Sequence, residues 1–313
     1  MREAETGRPP ATYPSGRQYE IAHGEQRATI VEVGGGVREY SVAGRAVLDP
    51  YPVDAICDGA HGAPLIPWPN RLADGLYSFD GVEHQVDLTE PTKQNAIHGF
   101  LRWRNWAVEE PEPERLLVRT VLHPLEGYPF SLEVSIAYEL GDGGLVTTTT
   151  ATNVGVRACP FGVGQHPYLS PGEGLIDGCT LELDAGTRIV TDPERQLPTG
   201  LEPVAGTGFD FRAPRLLGDQ RLDFAFTDLG RDEDGRAWVR LRAPDSRCAE
   251  LWVDEHYPIV ELYTGDTLEP RRRRRGLGTE PMSCPPNAFQ TGEGLVRLEP
   301  GESVAARWGA RLS

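Results

Sequence analysis

Residues 131–140 read Ser-Leu-Glu-Val-Ser-Ile-Ala-Tyr-Glu-Leu, which puts Leu132, Val134, Ile136, Tyr138 and Leu140 on alternate positions. A period of two buries one face of an extended chain and leaves the other wet, so the stretch predicts a half-buried strand. The next four residues, Gly141-Asp142-Gly143-Gly144, are turn formers, and Leu145 to Thr150 resumes an extended pattern with four successive threonines. The same alternation returns near the C-terminus in Val304, Ala306, Trp308, Ala310 and Leu312. Punctuation elsewhere agrees. Asp80-Gly81 separates Tyr77–Phe79 from Val82–Val86 as a type I′ hairpin would, Gly34-Gly35-Gly36 separates Thr29–Val33 from Val37–Val42, and Pro300-Gly301-Glu302 divides the last two strands. No helical periodicity runs beyond two turns. The chain is therefore expected to be all-β, a large sandwich of antiparallel strands with very little helix. Residues 16–313 are expected to form one domain behind a disordered polar leader, residues 1–15.

Composition narrows the function. The 313 residues carry 31 Lys+Arg against 47 Asp+Glu, a net charge of −16. Such a surface repels a phosphate backbone and an anionic bilayer, so nucleic-acid and membrane partners are not expected. No apolar run approaches the roughly 20 residues of a spanning helix. The polar N-terminus, Met1 to Arg17, lacks the apolar segment of a secretory signal. The five cysteines are dispersed without CxxC spacing, which fits reduced thiols in a cytoplasmic protein better than disulfides or a zinc cluster.

In an antiparallel sandwich, chemistry belongs to loops or to an open sheet face, so polar residues beside turns are the candidates. Five places stand out. Asn70-Arg71 follows a Pro-rich turn, where an arginine ordinarily braces a loop. His98 lies in Asn95-Ala96-Ile97-His98-Gly99-Phe100, where a plain turn residue would serve as well. His166 precedes Pro167, which holds it extended, and a packed core histidine has the same signature. Asp223 opens an alternating aromatic pair, as a cap would. Glu280 precedes Pro281 in a Pro-rich loop with the least packing reason to be there. Singly each is weak. Together they supply an acid, a base and hydroxyl-binding groups. Metal chelation is the rival use, but no HxH or HExxH spacing occurs, and no GxSxG marks a serine nucleophile.

The order and separation of these motifs resemble the aldose 1-epimerase (galactose mutarotase-like) family. The resemblance covers about Tyr19 to Leu312. It rests on Asn70-Arg71 followed by Gly75-x-Tyr77-x-Phe79-x-Gly81, on Asn95 to Phe100, on His166-Pro167-Tyr168, on Leu222-Asp223-x-x-Phe226, and on Leu262-Tyr263-Thr264-Gly265 leading to Glu280-Pro281-Met282. It implies a β-supersandwich with a sugar cleft and interconversion of the α and β anomers of a free aldose such as galactose or glucose. It further implies Glu280 as general base, His166 as general acid, His98 as a second histidine near the ring oxygen, and Asp223, Arg71 and Asn70 as hydroxyl-binding groups. No cofactor and no metal are expected, because ring opening moves protons only.

Two features depart from that pattern. Glu261 stands where family members commonly carry Gln, a change expected either to alter sugar contacts or to put a third carboxylate near Glu280 and raise its pKa. The run Arg271-Arg272-Arg273-Arg274-Arg275 reads either as a solvated, self-repelling loop or as a phosphate clamp, and the loop is the expectation. A clamp would make the substrate a hexose 6-phosphate. Two further alternatives are a non-catalytic carbohydrate-binding protein of the same fold, and a glycoside hydrolase using Asp223 and Glu280 as its carboxylate pair.

Overall fold

The structure is a computed structural model and describes residues 12–109 and 111–313. Most of the expected leader, residues 1–11, lies outside the described residues. Ordered pairing begins ahead of residue 16, because Val33 donates its N–H to the Ser15 carbonyl at 3.0 Å and Ser15 is buried.

Among the described residues nearly every element is a strand, and every strand pairing is antiparallel. One α-helical turn, Ala288–Thr291, and three short 3₁₀ turns complete the set. The decisive stretch forms Leu132–Gly141, with alternating burial along its whole length, paired with Gly144–Asn153 across the glycine turn. These strands lie in a nine-stranded sheet. Ser303–Leu312 sits at its middle, between Gly144–Asn153 and Cys248–Val253. Its alternation breaks at Gly309, which is buried although its position points away from the core. A Cβ there would come within 2.4 Å of the Trp252 indole nitrogen, so the ring covers a surface that only glycine leaves open.

The second, twelve-stranded sheet contains Gln18–His23, Gln26–Val31, Val37–Val42, Arg45–Leu48, Tyr168–Leu169, Leu277–Met282, Ile259–Tyr263, Asp223–Leu229, Ala185–Thr191 and Pro198–Pro203 in that order. A single apolar cluster runs through both sheets, from Ile21 to Ala310, and includes Tyr40, Tyr138, Phe226, Leu262 and Trp308. Side chains on the inner faces of two packed sheets make such a core.

The outer face of this second sheet positions the site. Val260 and Leu262 join the core, so Glu261 and Tyr263 between them face the other way. Register then places Tyr263 opposite Asp223 and Glu261 opposite Glu280. The segment from Pro64 to Trp103 closes over this face. In it Arg71–Ala73 pairs with Asn95–Ile97, Arg71 lying across from Ile97, so two motifs distant in sequence become one small ribbon. Trp68, Tyr77 and Phe289 anchor the ribbon's underside.

Candidate active site

The structure brings all six candidate residues to one cleft of about 360 Å³, a size typical of small-molecule sites. Glu280 and His166 lie deepest. Their Oε1 and Nε2 atoms are 3.1 Å apart, and both residues are almost wholly buried. The outer atoms of the pair, His166 Nδ1 and Glu280 Oε2, are buried without a hydrogen-bond partner. Burial, the Glu261 and Asp223 carboxylates beside it, and only partial relief from Arg71 hold the Glu280 carboxyl well above the usual range. Burial, with the neighbouring His61 and Arg102, drives His166 down to about 3. The pair thus shares one proton, and it rests on the carboxyl side.

His98 meets His166 edge to face, with ring centroids 5.4 Å apart. A reciprocal contact fixes it: His98 N–H donates to the Asn70 carbonyl at 2.9 Å, and Asn70 N–H donates to His98 Nδ1 at 3.1 Å. Nδ1 is therefore the acceptor, and Nε2 carries the proton. Burial and then His166, Arg102 and Arg71 keep the ring neutral, its pKa well below the ordinary histidine value. Asn70 and His98 both adopt positive φ, at 57° and 65°. Gly99 follows at +61°, and a Cβ there would lie 2.0 Å from the Ile66 carbonyl oxygen. Gly99→Ala should cost about 1–3 kcal/mol in thermal or denaturant unfolding and displace His98 as the loop gives way.

The remaining groups line the walls. Arg71 is held by Glu90 through two contacts, Nε to Oε2 at 2.9 Å and a terminal nitrogen to Oε1 at 3.2 Å. Burial pulls against the guanidinium charge, but the Glu90 pairing together with the Asp223 and Glu261 charges outweighs it. Asn70 takes its amide orientation from Arg71 N–H, which donates to its Oδ1 at 2.8 Å, and so offers Nδ2 to Glu261 Oε2 at 2.6 Å. Asp223 accepts from the Gln196 side chain at the cleft rim. Glu90, Lys93, Arg102 and Trp103 also line the cleft, and sequence reasoning missed them. A buried Arg71 requires a carboxylate partner, but nothing local in the chain says that it is Glu90. Trp103 is 50% exposed at the rim, where an aromatic face could stack on an apolar ring face. Arg102 has no ion-pair partner among the described residues; its guanidinium carbon lies 5.4 Å from the centroid of the Trp103 ring.

The arginine run does not line this cleft, and it is not the solvated loop expected either. Arg272 and Arg274 are largely buried and braced. Arg274 Nε donates to Asp177 at 2.6 Å, and Arg272 donates to the Pro50 carbonyl at 2.6 Å and to Asp49 at 3.2 Å. Alternate arginines turn inward onto carboxylates, which cancels the repulsion that the sequence suggests. Arg271 and Arg275 stay at the surface.

His98, His166 and Glu280 each offer a donor atom within 4.8 Å of the others, so a cation could be held there geometrically. All five cysteines are free, and among the described residues no helix is long and apolar enough to cross a membrane.

The outer face of the sandwich thus carries an open cleft of small-molecule size with a buried carboxyl–imidazole pair at its floor, an arrangement suited to acid–base chemistry on a small polar molecule. Comparison with known proteins agrees. The aldose 1-epimerase family model matches residues 17–310, and the chain belongs to that family. It is 34% identical over 289 residues to an uncharacterized Escherichia coli K12 protein, YihR, covering 92% of this chain and 91% of that one. Human galactose mutarotase is 27% identical over 259 residues, 74% of this chain and 73% of its own. Among solved structures, an aldose epimerase homologue from Caenorhabditis elegans superposes with a TM-score of 0.83 at 20% identity, covering 95% of this chain and 98% of that one. Galactose 1-epimerase from Lactobacillus acidophilus gives 0.79, also at 20% identity, over 95% and 94%. These structural likenesses establish the fold.

Proposed function

We propose that this chain is an aldose 1-epimerase that interconverts the α and β anomers of a free hexose such as galactose or glucose. The observation that carries the reading is the 3.1 Å contact of Glu280 and His166 at the floor of a cleft walled by hydroxyl-binding groups. A cyclic hemiacetal opens when O1 loses a proton and the ring oxygen gains one. Rotation about C1–C2 exposes the other carbonyl face, and closure reverses both transfers. Glu280 takes the O1 proton, and His166 delivers one to the ring oxygen. His98, with its proton on Nε2, donates towards the same oxygen. Arg71, Asn70 and Asp223 hold the remaining hydroxyls.

The protonation states fit a pair that works as a unit. Moving the shared proton from Glu280 to His166 makes a carboxylate base and an imidazolium acid without drawing a proton from bulk water. Sugar hydroxyls entering the cleft supply the donors that the buried carboxylate lacks, and so favour that transfer. Polarimetry of fresh α-glucose and α-galactose, with and without the protein, tests the reading; rates equal to the uncatalysed ones would refute it.

Asp223→Ala removes a positioning group rather than a proton carrier. It should raise KM and lower kcat, together costing about 10-fold or more in kcat/KM. Because the steps move protons only, exhaustive chelation should leave the rate unchanged. A loss restored by zinc or manganese would mean that His98, His166 and Glu280 hold a cation.

A second reading, a hexose 6-phosphate as substrate, is favoured by Arg102, a guanidinium on the cleft wall without a carboxylate partner among the described residues. The arginine run no longer supports it. Arg102→Leu should raise KM for glucose 6-phosphate about 10-fold or more if that guanidinium meets the phosphate, with little change for glucose. Two histidines beside the carboxyl disfavour the glycoside hydrolase alternative, and a silent sugar binder has no use for the buried acid–base pair.

A further inference from the structure

Glu261 is a carboxylate that the proposed reaction does not use, and its surroundings are unusual. It is 4% exposed and stands directly across the strand pair from Glu280, itself 2% exposed. Donors are scarce around the two. Among the described residues Asn70 Nδ2 makes the one hydrogen bond to Glu261 from a group that keeps its own proton, and Glu280 Oε2 has no partner. Arg71, the cation that reaches both electrostatically, is committed to Glu90. On the far side Asp223 comes within hydrogen-bond reach of Glu261 and meanwhile accepts from Gln196. Tyr263 shares the strand, and His98, His166, Arg102, Lys93 and Cys57 complete the titratable and charged groups of the cleft.

Three carboxyls in a row, two of them cut off from water and nearly without donors, cannot all ionise. At least one proton stays in the row at neutral pH. Burial, with the Glu261 and Asp223 charges beside it, makes Glu280 the first holder of that proton. Burial followed by the Asp223 charge takes Glu261 up to about 8, so it is the next. Protonated, Glu261 can donate to Asp223 while accepting from Asn70.

We propose that Glu261 is a positioning residue that tunes the base: by standing across from Glu280 as a second ionisable carboxyl, it sets how strongly Glu280 binds the proton it takes from the sugar. The inference rests on the epimerase reading above. A carboxylate beside a second carboxyl is a stronger base than one standing alone, and a base works best when its proton affinity is matched to the working pH. Substituting the amide keeps the size and the contact with Asn70, but removes the neighbouring ionisable group.

The test compares wild type with Glu261→Gln in two measurements: the pH profile of anomer exchange on glucose or galactose, and the titration of the Glu280 carboxyl followed by ¹³C NMR. In the variant the acid limb of the profile should move to lower pH by about one unit or more, and the plateau rate should fall several-fold as the base weakens. The carboxyl titration should move in the same direction. Glu261→Ala, which loses the Asn70 contact as well, should move it the same way. A variant that is slower with both limb and titration unmoved overturns the proposal, since Glu261 would then only hold a hydroxyl or brace Asn70. The NMR titration needs no turnover. If it shifts while wild type turns over neither sugar, the tuning of Glu280 by Glu261 stands and the epimerase reading falls.

Discussion

Glu280→Gln should slow anomer exchange by about 10²-fold or more while sugar binding survives. The amide keeps the side chain's volume and reach but cannot accept the O1 proton, and general acid–base groups contribute roughly 10²–10⁴-fold each. Binding should persist because Arg71 is held by Glu90, and Asp223 by Gln196, independently of the floor of the cleft. The same substitution removes a carboxyl that is costly to ionise where it lies. A group whose folded pKa is raised binds more protons folded than unfolded, so its stabilising contribution is fully present below the usual carboxylate value and fades as pH rises. Glu280→Gln should therefore lose less stability than wild type on going from about pH 5 to pH 8. Saturation-transfer NMR at anomeric equilibrium reads the exchange rate, and thermal unfolding across that range reads the stability. Near-wild-type exchange would show that Glu280 merely braces its loop.

His166 has the opposite sign. Its pKa is lowered to about 3, so between that value and the unfolded histidine value near 6.5 the unfolded chain binds the extra proton. Stability gained from the neutral buried ring is complete above about 6.5 and is lost as pH falls towards 3. His98, lowered by the same burial, adds to the loss. Acid unfolding should thus begin in the histidine range.

What could be read in the chain beforehand follows from how local each signal is. Alternation at Leu132–Leu140 and turn chemistry at Gly141–Gly144 act within a few residues, so that hairpin was legible. Glu280 and His166 were legible as types at expected separations, although their contact joins strands that pair only through the fold. The ribbon joining Arg71 to Ile97, the Glu90 clamp and the place of Arg102 on the cleft wall have no local signature. Charge patterning misled at residues 271–275. A run of like charges is self-repelling only when every side chain faces water, and the sequence does not reveal that Asp49, Asp177 and Asp266 wait beneath it.

That correction carries the largest expected effect on stability. Arg272→Ser should cost about 3–5 kcal/mol, the range for removing one partner of a buried charged pair. The reason lies in where the protons are. His61 donates Nδ1–H to the Asp58 carbonyl at 2.8 Å, so in the neutral ring Nε2 has no hydrogen. Nε2 lies 3.3 Å from Asp49 Oδ2, which is an acceptor too, and both atoms are buried. Arg272 resolves the clash by donating from one terminal nitrogen to Nε2 at 3.0 Å and to Oδ2 at 3.2 Å. Serine leaves two acceptors face to face and Asp49 with only the more distant Arg275, at 4.0 Å, whereas Arg271→Ser should fall within about 0.5 kcal/mol because that side chain is exposed. The damage also reaches the cleft. His61 stacks on Tyr168 at 3.7 Å, and Tyr168 stacks beneath His166 at 5.0 Å, so the arginine props the acid through two rings. Arg272→Ser should lower kcat more than it raises KM, because the stack positions the proton donor and does not touch the sugar-holding wall of Arg71 and Asp223. Denaturant unfolding of the two serine variants in parallel, with exchange kinetics on each, checks both halves. Equal stability of Arg271→Ser and Arg272→Ser would return the run to an ordinary surface loop.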